Sequence, residues 1–199
     1  MKGQIMLKVA ITGNIASGKS TVENILMEKG YKVLDTDVIS HELLRDESIK
    51  NKIVTSFSEF DILDDNEISR PKLGKIVFGD EELRKKLESI LHPRIKNEII
   101  RFFVHLDKQG EKIAFVSVPL LFEAKYEDAF DKVLLVCADD KIRLERLIIR
   151  NKISLKNAEN RLKIQISQDE KIPLADYVIY NNKSLLDLYR RIDEILELL

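Results

Sequence analysis

The residues with the clearest chemical potential form a short stretch near the start of the chain, Gly13–Ser20. It reads Gly-Asn-Ile-Ala-Ser-Gly-Lys-Ser, which matches the pattern G-x-x-x-x-G-K-[ST]. The two glycines permit backbone angles that a Cβ would forbid, so consecutive N–H groups can point into one concavity and bind an anion. The sequence therefore predicts a phosphate-binding loop.

Two side chains of this loop complete a nucleotide site. Lys19 can reach the β- and γ-phosphates of a nucleotide, and the Ser20 hydroxyl can ligate Mg²⁺. We therefore expect Lys19 to be catalytic, with ATP as co-substrate and Mg²⁺ as cofactor. The loop residues expected to bind ATP are Asn14, Ile15, Ala16, Ser17, Gly18, Lys19, Ser20 and Thr21.

Short apolar runs elsewhere in the chain are the elements that must position this loop. They are nearly continuous rather than alternating, which indicates strands buried on both faces of a parallel sheet. Helical patterns separate them: Gly30 is a plausible stop of the first helix, Ser154 can cap a short helix, and Ser184 can cap the last one. This alternation predicts an α/β fold of three layers, the P-loop NTPase fold, around a five-stranded parallel sheet. The predicted strands are Leu7–Thr12, Tyr31–Leu34, Ile113–Val118, Lys132–Cys137 and Tyr177–Tyr180.

Two stretches do not belong to this alternation. Residues 38–106 show helical patterns only and predict a helical substrate-binding insertion, and residues 151–171 predict a small helical lid. We expect residues 1–199 to form one kinase domain, since domains of this size are common. Its core would comprise about 6–37, 107–150 and 172–199, and residues 1–5 receive no assignment.

A pair of carboxylates follows the second predicted strand. The carboxyl ends of parallel strands face the ligand crevice, so Asp37 could accept a proton from an attacking hydroxyl or bind Mg²⁺ through water. Asp35, closer to the strand, is the weaker candidate. The alternative is that both acids cap the helix predicted at Val38–Leu44.

Basic residues are concentrated around the predicted lid. Between Lys141 and Lys171 there are nine Lys or Arg and four Asp or Glu, a net charge of +5 in a chain of net charge -1. A mobile lid bearing Arg150 and Arg161 would surround a transferring phosphoryl group with positive charge and exclude water. The alternative is a solvated basic helix face.

Composition excludes several classes of function. The chain has 33 Lys or Arg and 34 Asp or Glu, which leaves no basic field for nucleic acid. Its one cysteine, Cys137, allows no intramolecular disulfide, and no apolar run is long enough to cross a membrane. With no recognisable signal peptide, these features favour the cytoplasm. Nothing indicates an obligate protein partner. A GTP switch is disfavoured because none of the three Asn-Lys pairs continues into Asn-Lys-x-Asp.

Seven separated motifs occur in order along nearly the whole chain, from Val9 to about Leu196. They are Thr12–Thr21, Val33–Asp37, Ser69–Phe78, Leu91–Ile95, Val118–Glu123, the set Arg146, Arg150, Arg161 and Gln165, and Ala175–Asn181. Together they resemble the motifs of the dephospho-CoA kinase family. The phosphate loop of this chain has Asn14 and Ala16 where the family often has glycine.

The resemblance implies transfer of phosphate from ATP to 3′-dephospho-CoA, with residues 38–106 as the CoA-binding subdomain. It implies that Asp37 is the proton acceptor for the ribose 3′-hydroxyl, that Arg150 binds ATP and that Arg161 is catalytic. It assigns to the substrate side Arg70, His92, Arg94, Leu120 and Leu121.

Alternatives to these assignments remain. From spacing alone, His92-Pro93 could simply mark a helix boundary. A nucleoside monophosphate kinase and a nucleotide-gated binding module are the alternative functions.

Overall fold

The structure is a computed structural model that describes residues 6–199. The unassigned residues 1–5 lie outside the described part. The chain divides into two compact units. The core unit runs to Asp35 and resumes from Phe103 to Leu199, and the helical unit is Thr36–Phe102.

Residues 6–199 form seven strands, nine α-helices and two single-turn 3₁₀ helices, the latter at Glu127–Ala129 and Ile172–Leu174. The strands are β1 (Leu7–Gly13), β2 (Lys32–Asp35), β3 (Leu63–Asp64), β4 (Glu67–Ile68), β5 (Ile113–Ser117), β6 (Lys132–Cys137) and β7 (Tyr177–Tyr180). The α-helices are α1 (Lys19–Glu28), α2 (Thr36–Leu43), α3 (Glu47–Ser56), α4 (Arg70–Phe78), α5 (Glu81–Lys108), α6 (Asp140–Asn151), α7 (Leu155–Leu162), α8 (Gln168–Lys171) and α9 (Leu185–Leu196).

The core unit contains a five-stranded parallel sheet in the order β2-β5-β1-β6-β7. All five predicted strands are confirmed, with ends shifted by one residue at most. β1 lies in the middle and pairs with β5 on one side, where Val9 opposes Phe115, and with β6 on the other, where Thr12 opposes Leu135. The carboxyl end of β1 therefore opens at the centre of the sheet edge, where ligands bind in open α/β sheets.

Apolar faces of two helices cover this sheet. Helix α1 contributes Val22, Ile25 and Leu26 to a buried cluster with strand residues such as Val9 and Phe115. Helix α9 adds Leu188, Ile192 and Ile195 to the same cluster. It begins with the predicted Ser184 cap, which is a full capping box with Asp187. Gly30, with φ of +90°, lies just beyond α1 as the stop signal predicted.

The helical unit departs from its prediction in one place. Residues 38–106 were expected to contain helices only, but β3 and β4 form a small antiparallel hairpin. Asp65 and Asn66 form its turn with φ of +47° and +63°. Two consecutive left-handed residues are what a two-residue hairpin turn requires, and Asp and Asn tolerate that conformation. The prediction was wrong because two-residue strands are too short to produce a hydrophobic period.

Helix α5 also differs from the sequence interpretation. Its 28 residues run without a break from Glu81 to Lys108, and Pro93 lies inside it. The alternative that His92-Pro93 marks a helix boundary is therefore wrong. Proline removes one backbone donor, but its exposed position on this helix allows water to satisfy the carbonyl left without a partner.

The two ends of the predicted lid segment, residues 151–171, have different surroundings. Lys152, with φ of +51°, ends α6, and α7 starts at the predicted Ser154 cap, whose hydroxyl accepts a hydrogen bond from the Asn157 N–H. At the other end Lys171 is completely buried, and its ammonium lies 2.7 Å from Glu123 Oε1. The last residues of the segment are thus packed into the core unit.

Among residues 6–199, no helix combines the length and the apolar character needed to cross a membrane.

Candidate active site

The predicted phosphate loop lies between the end of β1 and the start of α1. Ala16 and Gly18 have φ of +63° and +96°, and the alternation of right- and left-handed residues turns successive N–H groups to one side. Gly18 is the N-cap of α1, and it makes no side-chain capping hydrogen bond. The first N–H groups of this helix, at the positive end of its dipole, can therefore bind an anion.

Close packing explains both glycines of the loop. A Cβ on Gly18 would lie 2.0 Å from Asn181 Nδ2, and one on Gly13 would lie 2.6 Å from the Val136 carbonyl oxygen. Ordinary contacts to Cβ exceed 3.4 Å. Gly18 is thus required by packing and by its left-handed backbone, whereas Gly13, whose φ is not positive, is required by packing alone.

Side chains from α6 and from the end of β7 hold the outer side of the loop. Arg143 donates from Nε to the Ile15 carbonyl at 3.0 Å, and Arg146 donates from Nη1 to the Ser17 carbonyl at 3.4 Å. Asn181 Nδ2 donates to the same Ser17 carbonyl at 2.9 Å. These three donors bind carbonyl oxygens of the loop, so they occupy none of its N–H groups.

The three arginines of α6 therefore have different surroundings. Arg143 is buried, and its burial lowers the pKa of the guanidinium, which the nearby Asp140 carboxylate opposes. Arg146 also donates to the Asn181 carbonyl at 3.0 Å. Arg150 is exposed and donates to Asn151 at 2.9 Å. The structure thus brings Arg143 and Arg146 to the loop, whereas the ATP contact expected of Arg150 stays a prediction.

The lysine of the motif belongs to a compact polar cluster. Lys19 Nζ lies 2.5 Å from Glu23 Oε1 and donates a short hydrogen bond to Ser117 Oγ. Ser117 Oγ in turn donates to Glu23 Oε1 at 2.6 Å. Neither Glu23 nor Ser117 was predicted as a site residue. Two signals were available: the i,i+4 spacing of Lys19 and Glu23, and a hydroxyl inside an otherwise apolar strand.

The segment after α7 also contacts the loop. Gln165 Oε1 accepts a hydrogen bond from the Ile15 N–H at 2.7 Å, and Asn14 Nδ2 donates to the Ile166 carbonyl at 2.8 Å. Arg161 lies in the last turn of α7, four residues before Gln165, with a half-buried side chain. The predicted lid is therefore joined to the phosphate loop by direct hydrogen bonds.

Four of the predicted residues belong to the helical unit. Asp37 is exposed in the first turn of α2, directly after β2, and Arg70 is the exposed first residue of α4. His92 is half-buried on α5, and burial lowers the pKa of its imidazole, which the Glu88 carboxylate opposes. Arg94, also on α5, lies 3.5 Å from Asp46. His92 is thus held towards its neutral form, which can donate and accept hydrogen bonds.

The two leucines assigned to the substrate side follow β5 in the core unit. Leu120 is 41% exposed, whereas Leu121 is completely buried. Of the two, Leu120 is therefore the side chain available to a ligand, whereas Leu121 is part of the buried core.

The side chains near the loop are chemically suited to Mg²⁺, a hard cation that prefers oxygen ligands. Ser20 is exposed in the first turn of α1, and Asp35 lies beside Ser117 on the neighbouring strand. Within residues 6–199 no group of three or more His, Cys, Asp or Glu side chains is placed to hold a metal. Ser20 supplies one hard oxygen donor, of the kind that suits a Mg²⁺ ion bound partly by nucleotide phosphates.

Comparison with known proteins agrees with this geometry. A family model described as dephospho-CoA kinase matches residues 7–187. A dephospho-CoA kinase from Fusobacterium nucleatum is 41% identical over 191 residues, covering 95% of this chain and 96% of the relative. One from Oceanobacillus iheyensis is 40% identical over 192 residues, with 96% coverage of both.

Solved structures show the same similarity. A Thermus thermophilus protein has a TM-score of 0.85 at 31% identity and covers 98% of both chains. A dephospho-CoA kinase from Campylobacter jejuni has a TM-score of 0.71 at 33% identity and covers 96% of this chain and 95% of its own. A shikimate kinase from Acinetobacter baumannii, with a TM-score of 0.57 at 16% identity, shares the fold alone. By sequence and by structure, the chain belongs to the dephospho-CoA kinase family.

Proposed function

We propose that this chain transfers the γ-phosphoryl group of ATP to the ribose 3′-hydroxyl of 3′-dephospho-CoA, giving CoA and ADP, the last step of coenzyme A biosynthesis. The observation that carries the proposal is the phosphate loop with Lys19 at its base, in a chain that matches dephospho-CoA kinases over nearly its whole length.

The loop supplies the nucleotide half of the reaction. Its N–H groups and the start of α1 bind phosphate oxygens, while Arg143, Arg146 and Asn181 hold the carbonyl side of the bend. Lys19 places a positive charge near the transferring group. Phosphoryl transfer depends largely on positioning and electrostatic stabilisation, so a rigid loop of this kind is its main requirement.

Mg²⁺ is the proposed cofactor, and Ser20 is the residue proposed to hold it together with the nucleotide phosphates. A cation bound there would neutralise the charge that develops on the phosphate oxygens. The Ser20 hydroxyl is exposed one residue after Lys19, which supports this role.

The acceptor half is assigned to other side chains. Asp37 accepts the proton of the 3′-hydroxyl, and it follows β2 at its carboxyl end. Arg70, His92, Arg94 and Leu120 bind the acceptor. All but Leu120 belong to the helical unit, which supports its assignment as the CoA-binding subdomain.

The lid completes the reaction in this proposal. Arg161 contacts the phosphate oxygens in the closed state, and Arg150 binds ATP. Closure excludes water, which would otherwise hydrolyse ATP. The hydrogen bonds that Gln165 and Ile166 accept from the loop support a lid that responds to the nucleotide.

The test is ADP release from ATP and Mg²⁺ with dephospho-CoA, compared with AMP, with CMP and with no acceptor. We expect release with dephospho-CoA only, and CoA as the second product by mass spectrometry. The matched inactive control is Lys19→Ala, which should lose ~10²–10³ in rate, as removal of one preorganised charge donor does. Equal release with AMP or CMP would indicate a nucleoside monophosphate kinase, and binding without turnover would indicate a binding module.

A further inference from the structure

Helix α1 places a carboxylate close to the phosphate loop, where a negative charge is unfavourable for nucleotide binding. Glu23 is one turn after Lys19 and is 5% exposed. The site must bind a polyanion, and a negative charge nearby weakens that binding, most strongly where water is excluded. A buried carboxylate in this place therefore requires a compensating role.

The contacts of Glu23 indicate that role. Glu23 Oε1 accepts from both Lys19 Nζ and Ser117 Oγ, and Lys19 also contacts Ser117, so the three groups form a closed ring. Ser117 is completely buried at the carboxyl end of β5, so its hydroxyl is a rigid anchor beside the phosphate loop's strand β1. The ring joins this fixed hydroxyl to the flexible stem of Lys19.

An ammonium group carries three N–H donors. Two of those of Lys19 are directed to Glu23 and Ser117, which leaves one donor for a phosphate oxygen. The lysine stem has four rotatable bonds, and an ammonium without fixed partners samples many positions. The ring therefore limits Lys19 to one position and orientation before the nucleotide arrives.

We propose that Glu23 is a positioning residue for Lys19: its carboxylate, held by Ser117, fixes the ammonium at the base of the phosphate loop and weakens ATP binding in exchange for faster transfer. The inference deepens the proposed phosphoryl transfer and rests on it. It predicts that removing the charge changes binding and catalysis in opposite directions, which loss of packing alone does not do.

The decisive variant is Glu23→Gln, which keeps size and hydrogen-bonding capacity but removes the charge. ATP affinity, measured by calorimetry without Mg²⁺, should rise roughly tenfold, the scale of one charge-assisted hydrogen bond. The turnover number kcat should fall about tenfold or more, because a neutral amide oxygen holds the ammonium more weakly than the carboxylate does. The control is Glu28→Gln on the same helix, where an exposed carboxylate pairs with Tyr189. It should leave both quantities unchanged.

A second variant, Ser117→Ala, separates orientation from charge. It removes the anchor of the ring while the carboxylate stays, so kcat should fall without a gain in ATP affinity. Thermal unfolding of each variant establishes that it is folded. If Glu23→Gln does not fold, Ser117→Ala still decides, because unchanged kcat in that variant overturns the proposal.

Other outcomes also overturn it. A Glu23→Gln variant with wild-type affinity and kcat makes Glu23 an ordinary packing residue. If Mg²⁺ no longer changes the ATP affinity of Glu23→Gln, while the affinity without Mg²⁺ equals that of the wild type, Glu23 is a metal-site residue instead. Failure of the proposed function is distinguishable: the wild type would then not phosphorylate dephospho-CoA, while the calorimetric comparison of ATP affinities stays valid.

Discussion

Gly18→Ala is the substitution whose effect can be worked out most fully from the structure. The new Cβ would lie 2.0 Å from Asn181 Nδ2, at a residue whose φ is +96°. A residue with a Cβ in left-handed conformation costs about 1–2 kcal/mol. Asn181 must also move, and it then loses its 2.9 Å hydrogen bond to the Ser17 carbonyl, at about 1–3 kcal/mol. We expect a total loss of about 2–5 kcal/mol in the free energy of unfolding.

Gly30→Ala is the matched control. Gly30 has a similar φ of +90°, but a Cβ there would have no heavy atom within 4 Å. This variant should lose only the backbone share, about 1–2 kcal/mol. The difference between the two variants therefore measures the clash at Gly18.

Urea unfolding at equilibrium, with calorimetric ATP titration alongside, is the assay. Adding Gly18→Ala to an Asn181→Ala background should cost only the backbone share, since the clashing amide is gone. ATP affinity should fall in Gly18→Ala and stay unchanged in Gly30→Ala. Equal destabilisation of the two glycine variants, or an equal cost of Gly18→Ala in both backgrounds, would refute the reasoning.

Four further outcomes are expected. Asp37→Asn should lower kcat by ~10² with little change in ATP affinity, because the amide cannot accept the hydroxyl proton; a collapse of binding seen only with Mg²⁺ would instead indicate a metal-site role. Arg161→Lys should lose much of the turnover rate although it keeps the positive charge, since an ammonium lacks the planar fork of a guanidinium. In the wild type, ATP together with the acceptor should slow trypsin cleavage at Arg161. Full activity of the variant, with cleavage of the wild type unchanged by the ligands, would contradict the lid assignment. Ala16→Gly should stabilise the protein by about 1 kcal/mol in urea unfolding, because Ala16 has φ of +63°; a loss of stability would contradict this. Burial raises the pKa of Cys137 from 9.0 to about 11, so the native state keeps its thiol neutral while the unfolded chain ionises. The free energy of unfolding should therefore fall by roughly 1 kcal/mol per pH unit between about pH 9 and 11, more steeply than in Cys137→Ala; parallel profiles would count against the shift.

The sequence was most informative where several constraints coincide. The loop at Gly13–Ser20 needs particular residues at particular spacings, and the five strands have apolar runs that suit only a sheet buried on both faces. Both were predicted almost to the residue. The caps at Ser154 and Ser184 were also predicted, since their hydrogen bonds connect residues three apart in the chain.

The remaining features depend on contacts between residues far apart in the chain. Arg143, Arg146 and Arg150 share one helix face, and only the fold shows that the first two contact the loop. Ser117 and Glu23 are 94 residues apart, and no local pattern relates them. The alternative of a helix boundary at His92-Pro93 arose because proline is a local stop signal, which the long helix α5 overrides.

The contacts at both ends of the predicted lid have a mechanical consequence. On one side Arg146 ties α6 to the loop; on the other Gln165 bonds Ile15, and Lys171 is buried beside Glu123. The segment is therefore attached to the core unit at both of its ends, unlike a lid that is attached through a single hinge. Between these contacts lie residues 152–164, chiefly α7, whose eight residues span ~12 Å. Closure of the lid would therefore rotate α7 between its two fixed ends. Arg161, which is close to the second of these ends, would move only a short distance.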